Sequence, residues 1–539
     1  MKAYRDTHSS VISLHATRVT GLLFVFFSTF YTLWVAFHLN TTTLASSAFS
    51  IVFLIAVTYV GLHGMLAVIN SWYKESNIPE KIAAGMEPRV GVIIPTYNEP
   101  LGMVLETVMS VLKQNWPRHK LVIVVSDDGH REDLKREILK LRIGANGAYI
   151  LYHTPPQKND VRRNGEAKAG NLNSALEYLF TYFPDVKYIE TRDADDLVGD
   201  KNFLRYCTSV LEQESNVSFV QTIKRCIVSK GDPFGNQERA FYDRTMSFRS
   251  AANALFPCGS GLLWRKTELQ KINGFPAWNL VEDLQSGYEI LQIGGRGVYI
   301  PIVGALGQIA PEDIQNFYKQ RGTWAIDTTR LILFHNPFTR KKLNLAQKFQ
   351  FTELASAYVL SIPIGLLFAC LVTVLLFEIY PYESSDMHGV VLPLLVYISY
   401  ELFSYVRAWG VPFVAQWRAR EIWFGLMHVF WIAVFKALWY GPKQKPKYVV
   451  TRKFHSVQWY WKETLPQIVM ILVLILSIVV YVYSRELKMN IQEAAILMWA
   501  GIYILLLSRV VRNGWYGVRL RNLKRFSSRI YVGSARRTT

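Results

Sequence analysis

Cysteine is scarce: the 539 residues hold four (Cys207, Cys226, Cys258 and Cys370), none of them in a CxxC spacing. That scatter argues against both a zinc site and a disulfide framework. Charge is scarce too, at 19% of residues against 50% hydrophobic and 14% aromatic, and the mean hydropathy is positive. Such a balance is high for a soluble enzyme. Acidic residues vanish altogether from residues 509–539, which hold nine Lys or Arg and no Asp or Glu. The formal net charge of +19 therefore gathers partly at one end. Because that basic stretch flanks an apolar segment, it points to the anionic cytoplasmic face of a membrane and not to nucleic acid. The length exceeds one ordinary domain, so at least two structural layers are expected.

Crossing the hydrocarbon core takes about 20 apolar residues in a helix. Residues 21–39 meet that length without a charge, and residues 49–72 with His63 as the lone ionisable group. The first is long, aromatic and without a small-residue cleavage site, unlike a signal peptide. Further spans are expected at residues 357–380, 390–409, 468–483 and 494–511. The connectors 40–47 and 381–389 carry no Lys or Arg, whereas stretches on the other side do. Six spans with both termini in the cytosol, at the plasma (inner) membrane, satisfy the positive-inside rule. Residues 411–440 are apolar and rich in Trp and Phe, yet hold Arg418, Arg420, Glu421, His428 and Lys436. They are expected to lie in the interface, since a seventh span would put the basic C-terminus outside.

Between residues 88 and 338 short apolar runs alternate with amphipathic helices. Strands are expected at residues 90–95, 121–126, 148–152, 187–191 and 217–222, with helices starting near Leu101, Glu132 and Lys168. This is the rhythm of a mostly parallel α/β sheet, whose ligands bind beyond the carboxyl ends of the strands. After the first strand, Thr96 to Glu99 offers polar groups for the edge of a base or ribose, or a helix cap. Asp127-Asp128-Gly129 follows the second and reads equally as a common turn. The fourth ends in Asp193-Ala194-Asp195-Asp196. Carboxylates at i and i+2 after a strand can converge on one Mg2+ or Mn2+ ion together with substrate phosphates, or serve a structural role. Lys168 to Asn173 precedes a helix, as a phosphate-directed cation or as a basic surface turn. Glu282-Asp283 opens another helix, where the dipole favours acids and a carboxylate is also free to act as a general base.

Taken in order, these residues resemble the membrane-integrated, processive family 2 glycosyltransferases of the cellulose synthase type. The set continues through Gln221-Thr222, Phe256 to Ser260 and Gln320-Arg321-Gly322-Thr323-Trp324. The resemblance implies a GT-A α/β domain at residues 88–338, inserted between transmembrane helices. It implies an interface segment at 339–356, paired spans within 21–72, 357–409 and 466–511, an interface helix at 411–440 and basic termini at 1–20 and 512–539. It implies a UDP-sugar donor, a growing polysaccharide acceptor and Mg2+ or Mn2+. Thr96, Glu99 and Asp128 would hold the uridine; Lys168, Asp193 and Asp195 the diphosphate and its metal; Asp283 would be the base. Cys258, Gln320 and Trp324 would line the acceptor site. Residues 441–456 resemble the FxVTxK gating loop, with Tyr448 for Phe, then Val450, Thr451 and Lys453.

Two departures stand out. The motif QxxRW has Thr323 where the family has Arg, and Thr supplies no cation. Either Arg321 or Arg330 substitutes in donor binding, or donor binding is weakened, or donor and linkage differ from cellulose synthesis. The roughly 28 residues after the last span are too few for a cyclic-dinucleotide-binding PilZ core. Transfer of a single sugar to a lipid carrier, and a non-catalytic pore, are the rival readings; oligomeric state and accessory subunits stay open.

Overall fold

The structure is a computed structural model describing residues 7–73, 76–143, 145–383, 387–444, 446, 458–484 and 490–515. Its sheet is built from β1 (Val90–Thr96), β2 (Leu121–Asp127), β3 (Tyr149–His153), β4 (Tyr188–Thr191), β5 (Asp196–Val198), β6 (Val217–Cys226), β7 (Leu262–Arg265) and β8 (Arg296–Gly307). Every residue of β1 and β2 is buried, as expected of central strands written in runs of Val and Ile. Alternate side chains serve opposite faces. Ile93, Val122 and Val124 pack with Leu172, Leu176 and Leu179 of the helix Ala167–Tyr182. Val92, Ile94, Ile123 and Val125 pack with Val104 and Val108 of the helix Leu101–Leu112. A period of two thus builds one core on each side of the sheet.

The strand order is β3-β2-β1-β4-β7-β6-β8-β5. The first four are parallel, but β7 is antiparallel to both neighbours and β5 is antiparallel to β8. The sheet is therefore mixed, where a mostly parallel one was expected. The three unexpected strands explain the difference. β5 has three residues and β7 four, too short for a periodic signal, and β8 is interrupted by Gly297, Pro301 and Gly304. Its pairing with β6 shifts register beside Pro301, which has no N–H to give to the ladder.

Among the described residues six helices are long and apolar enough to cross a membrane: Leu14–Phe37, Leu44–Asn70, Leu345–Phe377, His388–Arg407, Leu465–Ser484 and Ile491–Gly514. The expected interface segment 339–356 is helical from Leu345 and runs on past Leu360 into the third of these. Residues 411–440 form two helices, Phe413–Gly425 and Met427–Tyr440, bent by 56° at Leu426. The pair packs Ile422, Leu426, Phe430 and Ala433 against Phe317 and Ala325 of the helix Ile314–Phe334. The two connectors without Lys or Arg meet: the Glu383 amide donates to the His38 carbonyl at 2.8 Å, and Asn40 Nδ2 to the Tyr380 carbonyl at 3.1 Å. At the opposite end of these helices, buried Arg249 donates to Glu353 Oε2 at 2.9 Å, and Asn70 Nδ2 reaches the same oxygen at 3.3 Å. Glu353 thereby joins two apolar helices to the α/β domain.

Candidate active site

The strand ends converge as the α/β pattern requires. Asp193 follows β4, Lys168 sits in the first turn of the helix Ala167–Tyr182, and Lys224 lies near the end of β6. Lys168 Nζ donates to Asp193 Oδ1 at 2.7 Å and lies 3.2 Å from Glu282 Oε1. Lys224 Nζ donates to the other oxygen, Asp193 Oδ2, at 2.7 Å and lies 2.8 Å from Asp196 Oδ2. Both oxygens of Asp193 are thus held by ammonium groups. The Asp193 amide donates to Ser260 Oγ at 3.2 Å.

The loop 258–261 faces this cluster and is pinned from beneath by Gln221. That buried amide accepts from the Cys258 N–H at 2.7 Å and donates to the Ser260 carbonyl at 3.1 Å. Gly259 has a φ of +77°, a conformation L side chains rarely adopt. A Cβ there would sit 2.9 Å from Asp283 Oδ2 and 3.2 Å from Lys168 Nζ. Asp283 and Lys168 therefore meet at the bare backbone of Gly259. Read across the site, the charges run Lys224, Asp193, Lys168, then Glu282 and Asp283.

The charges set one another's titration. Burial alone would raise Asp193, but Lys168 and Lys224 outweigh it and hold the carboxyl well below the usual range. Burial would lower both lysines, and the acids around them push them up instead. Asp283 goes the other way. Burial and the neighbouring Glu282 push it up to about 7, against the pull of Lys168. A carboxyl poised there takes a proton readily at neutral pH. Asp196 is also raised, first by burial, with Lys224 opposing.

At the ends of β1 and β2, Thr96 Oγ1 donates to Glu99 Oε2 at 2.7 Å, and Arg131 Nη2 donates to Thr96 Oγ1 at 2.9 Å. Asp128 is gripped through both oxygens by buried Arg163, at 2.7 and 2.9 Å. Thr96, Glu99 and Asp128 are thus brought together. Arg131 and Arg163, absent from the sequence expectations, fix them. At the other end, burial and then Asp283 push the Cys258 thiol up, with Tyr242 beside it.

Gln320, Arg321, Thr323 and Trp324 share a half-buried stretch of the helix Ile314–Phe334. Thr323 Oγ1 bonds back to the Lys319 carbonyl of its own helix at 2.9 Å. Arg321 pairs with Glu238 and lies over the Trp324 ring at 4.6 Å. Arg330 is fully buried over Trp278. It donates to Asn279 Oδ1 at 2.7 Å and to the carbonyls of Gly441 and Gln444 at 3.2 and 2.8 Å. Neither arginine is paired with the Asp193 cluster; Lys168 and Lys224 are the cations found there. Tyr448, Val450, Thr451 and Lys453 lie outside the described residues. Among the described residues no group of three His, Cys, Asp or Glu forms a metal cage. The carboxylates near Asp193 suit instead a hard cation whose remaining ligands come from phosphate and water.

Residues 88–326 match the family described as glycosyltransferase like family 2. A UDP-forming cellulose synthase catalytic subunit of Pseudomonas fluorescens (strain SBW25) is 28% identical over 326 residues, 58% of this chain and 41% of that one. Cellulose synthase 1 of Komagataeibacter xylinus is 27% identical over 288 residues, 51% of this chain and 17% of that one. The matched chain thus spans less than half the length of these relatives. A mannosyltransferase from Pyrobaculum calidifontis, solved in complex with GDP-Man and Mn2+, superposes with a TM-score of 0.50 at 19% identity, over 72% of this chain and 99% of that one. It shows a shared fold: a GT-A-like α/β domain with a mixed sheet. Residues 88–326 thus carry a family 2 glycosyltransferase-like domain with apolar helices on both sides, and the chain is similar over this region to cellulose synthase catalytic subunits.

Proposed function

We propose that the chain is an inverting, processive enzyme that polymerises a UDP-sugar, UDP-glucose foremost, into a β-linked glucan and passes the product across the membrane. The observation that carries this reading is the row of charges, with a carboxyl of raised pKa, Asp283, at one end, Lys224 at the other and Lys168 between them. Such a row suits a single displacement at the anomeric carbon. Asp283 takes the proton of the acceptor hydroxyl as its oxygen attacks, and the diphosphate leaves from the opposite face, so an α-linked donor yields a β-linked product. Asp193 and Asp195 would hold Mg2+ or Mn2+ with the donor's phosphates, and the ion supplies Lewis-acid neutralisation of the leaving charge. Lys168 adds fixed positive charge in a partly dehydrated site. Thr96, Glu99 and Asp128 take the uridine, and Cys258, Gln320 and Trp324 line the acceptor, where Trp324 offers a ring face to a sugar. The gating role of Tyr448, Val450, Thr451 and Lys453 rests on residue order. Placement of the domain and both termini in the cytosol rests on the charge asymmetry of the connectors.

Membranes bearing the protein, incubated with radiolabelled UDP-glucose and Mg2+ or Mn2+, test this. Glucanase-sensitive polymer is expected. Label extracted into organic solvent would mean transfer to a lipid carrier, and no turnover of any UDP-sugar would mean a non-catalytic pore.

A further inference from the structure

The departing nucleoside diphosphate gains charge as the glycosidic bond breaks, and fixed cations aimed at that charge are worth most in a water-poor site. The helix Ile314–Phe334 directs no arginine there, since Arg321 is committed to Glu238 and Arg330 to Asn279, Gly441 and Gln444. Lys168 is shared between Asp193 and Glu282 and meets Asp283 at Gly259, so it stands in the middle of the row. Lys224 stands at the far end from Asp283. In an inverting displacement the leaving group departs from the face opposite the attacking oxygen, so the cation farthest from the base is on the leaving side. Its anchoring fits that task. Lys224 is held by two carboxylates; Asp196 has a side chain only 1% exposed, whereas the Lys224 and Asp193 side chains keep 22% and 24%. When Asp193 turns to a metal ion, Asp196 still keeps the ammonium in place. A purely structural pair would bury both partners; here one carboxylate is buried and the ammonium stays open to a ligand.

We propose that Lys224 contacts the donor's diphosphate and stabilises it as it leaves, acting as the second catalytic cation beside Lys168. The bond between the anomeric carbon and the bridging phosphate oxygen breaks, and its electron pair goes to that oxygen. The acceptor oxygen bonds to the carbon, and its proton goes to Asp283. Lys224 acts as a fixed charge and transfers no proton in this step.

The proposal rests on the reading of this site as a nucleotide-sugar transferase, and its test separates the two. The full-length protein in detergent is titrated with UDP and with uridine, in the presence of Mg2+, as wild type, Lys224→Met and Lys224→Arg. The expected result is a loss of UDP affinity of roughly tenfold or more in Lys224→Met with uridine affinity held, and recovery of most of the loss in Lys224→Arg. Turnover of Lys224→Met should fall roughly 100-fold, the usual cost of one donor at a developing negative charge. Equal loss of UDP and uridine, or unchanged UDP affinity, overturns the role of Lys224 while leaving the transferase reading intact. A wild type that binds no UDP overturns both. If Lys224→Met does not fold, the UDP-to-uridine ratio of Lys224→Gln decides in the same way.

Discussion

In the proposed reaction Asp283 is the residue on which the chemistry turns, and a carboxyl pushed up to about 7 makes that role testable twice. As a base it works deprotonated, so turnover should fall about tenfold per pH unit below pH 7 and level off above it. Asp283→Asn should abolish synthesis and leave UDP binding largely intact; retained synthesis would remove Asp283 from the base role. The sign for stability is opposite. Folding raises the carboxyl from 3.8, so the folded chain holds a proton that the unfolded chain releases, and stability drains away as pH climbs from about 4 to 7. Asp283→Asn should therefore melt above wild type at pH 8 and with it at pH 4. Asp193, Lys168 and Asp283 were legible in the sequence because each belongs to a short run with its own chemistry. Lys224 was not: its meaning comes from β6 lying two strands from β4, which brings residues 31 positions apart within hydrogen-bond distance. Arg163, 35 positions from Asp128, was hidden for the same reason.

Elements were readable in proportion to how uniformly they are buried. β1 and β2 are dense in β-branched residues over seven positions, and their expected bounds fall within a residue of those observed. β5 and β7 are too short to show a period, and β8 hides its period behind glycine and proline, so the antiparallel half of the sheet was invisible. The helix Leu345–Val359 shows the limit for helices. The resemblance implied an interface segment over residues 339–356; in the structure Gln350 and Glu353 are buried and spent on Asn70 and Arg249. Truncation there should be costly. Glu353→Ala leaves Arg249 buried without its carboxylate, a loss of about 3–5 kcal/mol, read as a lowered midpoint in detergent unfolding. Glu353→Gln, which keeps an acceptor for Asn70, should lose less; equal stability of both variants and wild type would mean the joint is water-filled.

For the molecule as a whole, the contact of residues 38–40 with 380–383 puts both connectors at one end of the apolar helices, and the α/β domain packs at the other. Single cysteines report this directly. In a background whose native cysteines take no label, Thr42→Cys, at an exposed position, should react with a membrane-impermeant maleimide on intact cells. Val161→Cys, at a fully exposed position of the α/β domain, should react only after permeabilisation. Labelling of both from one side would refute the arrangement. One feature at the junction bears on how membrane and domain act on each other. The guanidinium of Arg330 is a rigid plane whose nitrogens hold Asn279, three residues ahead of Glu282, and the carbonyls of 441 and 444, where the bent helix pair ends. A plane does not stretch. If the chain at 444 shifts by an ångström, either those bonds break or Asn279 is drawn along, so the end of the bent pair and the approach to the base share one mechanical degree of freedom.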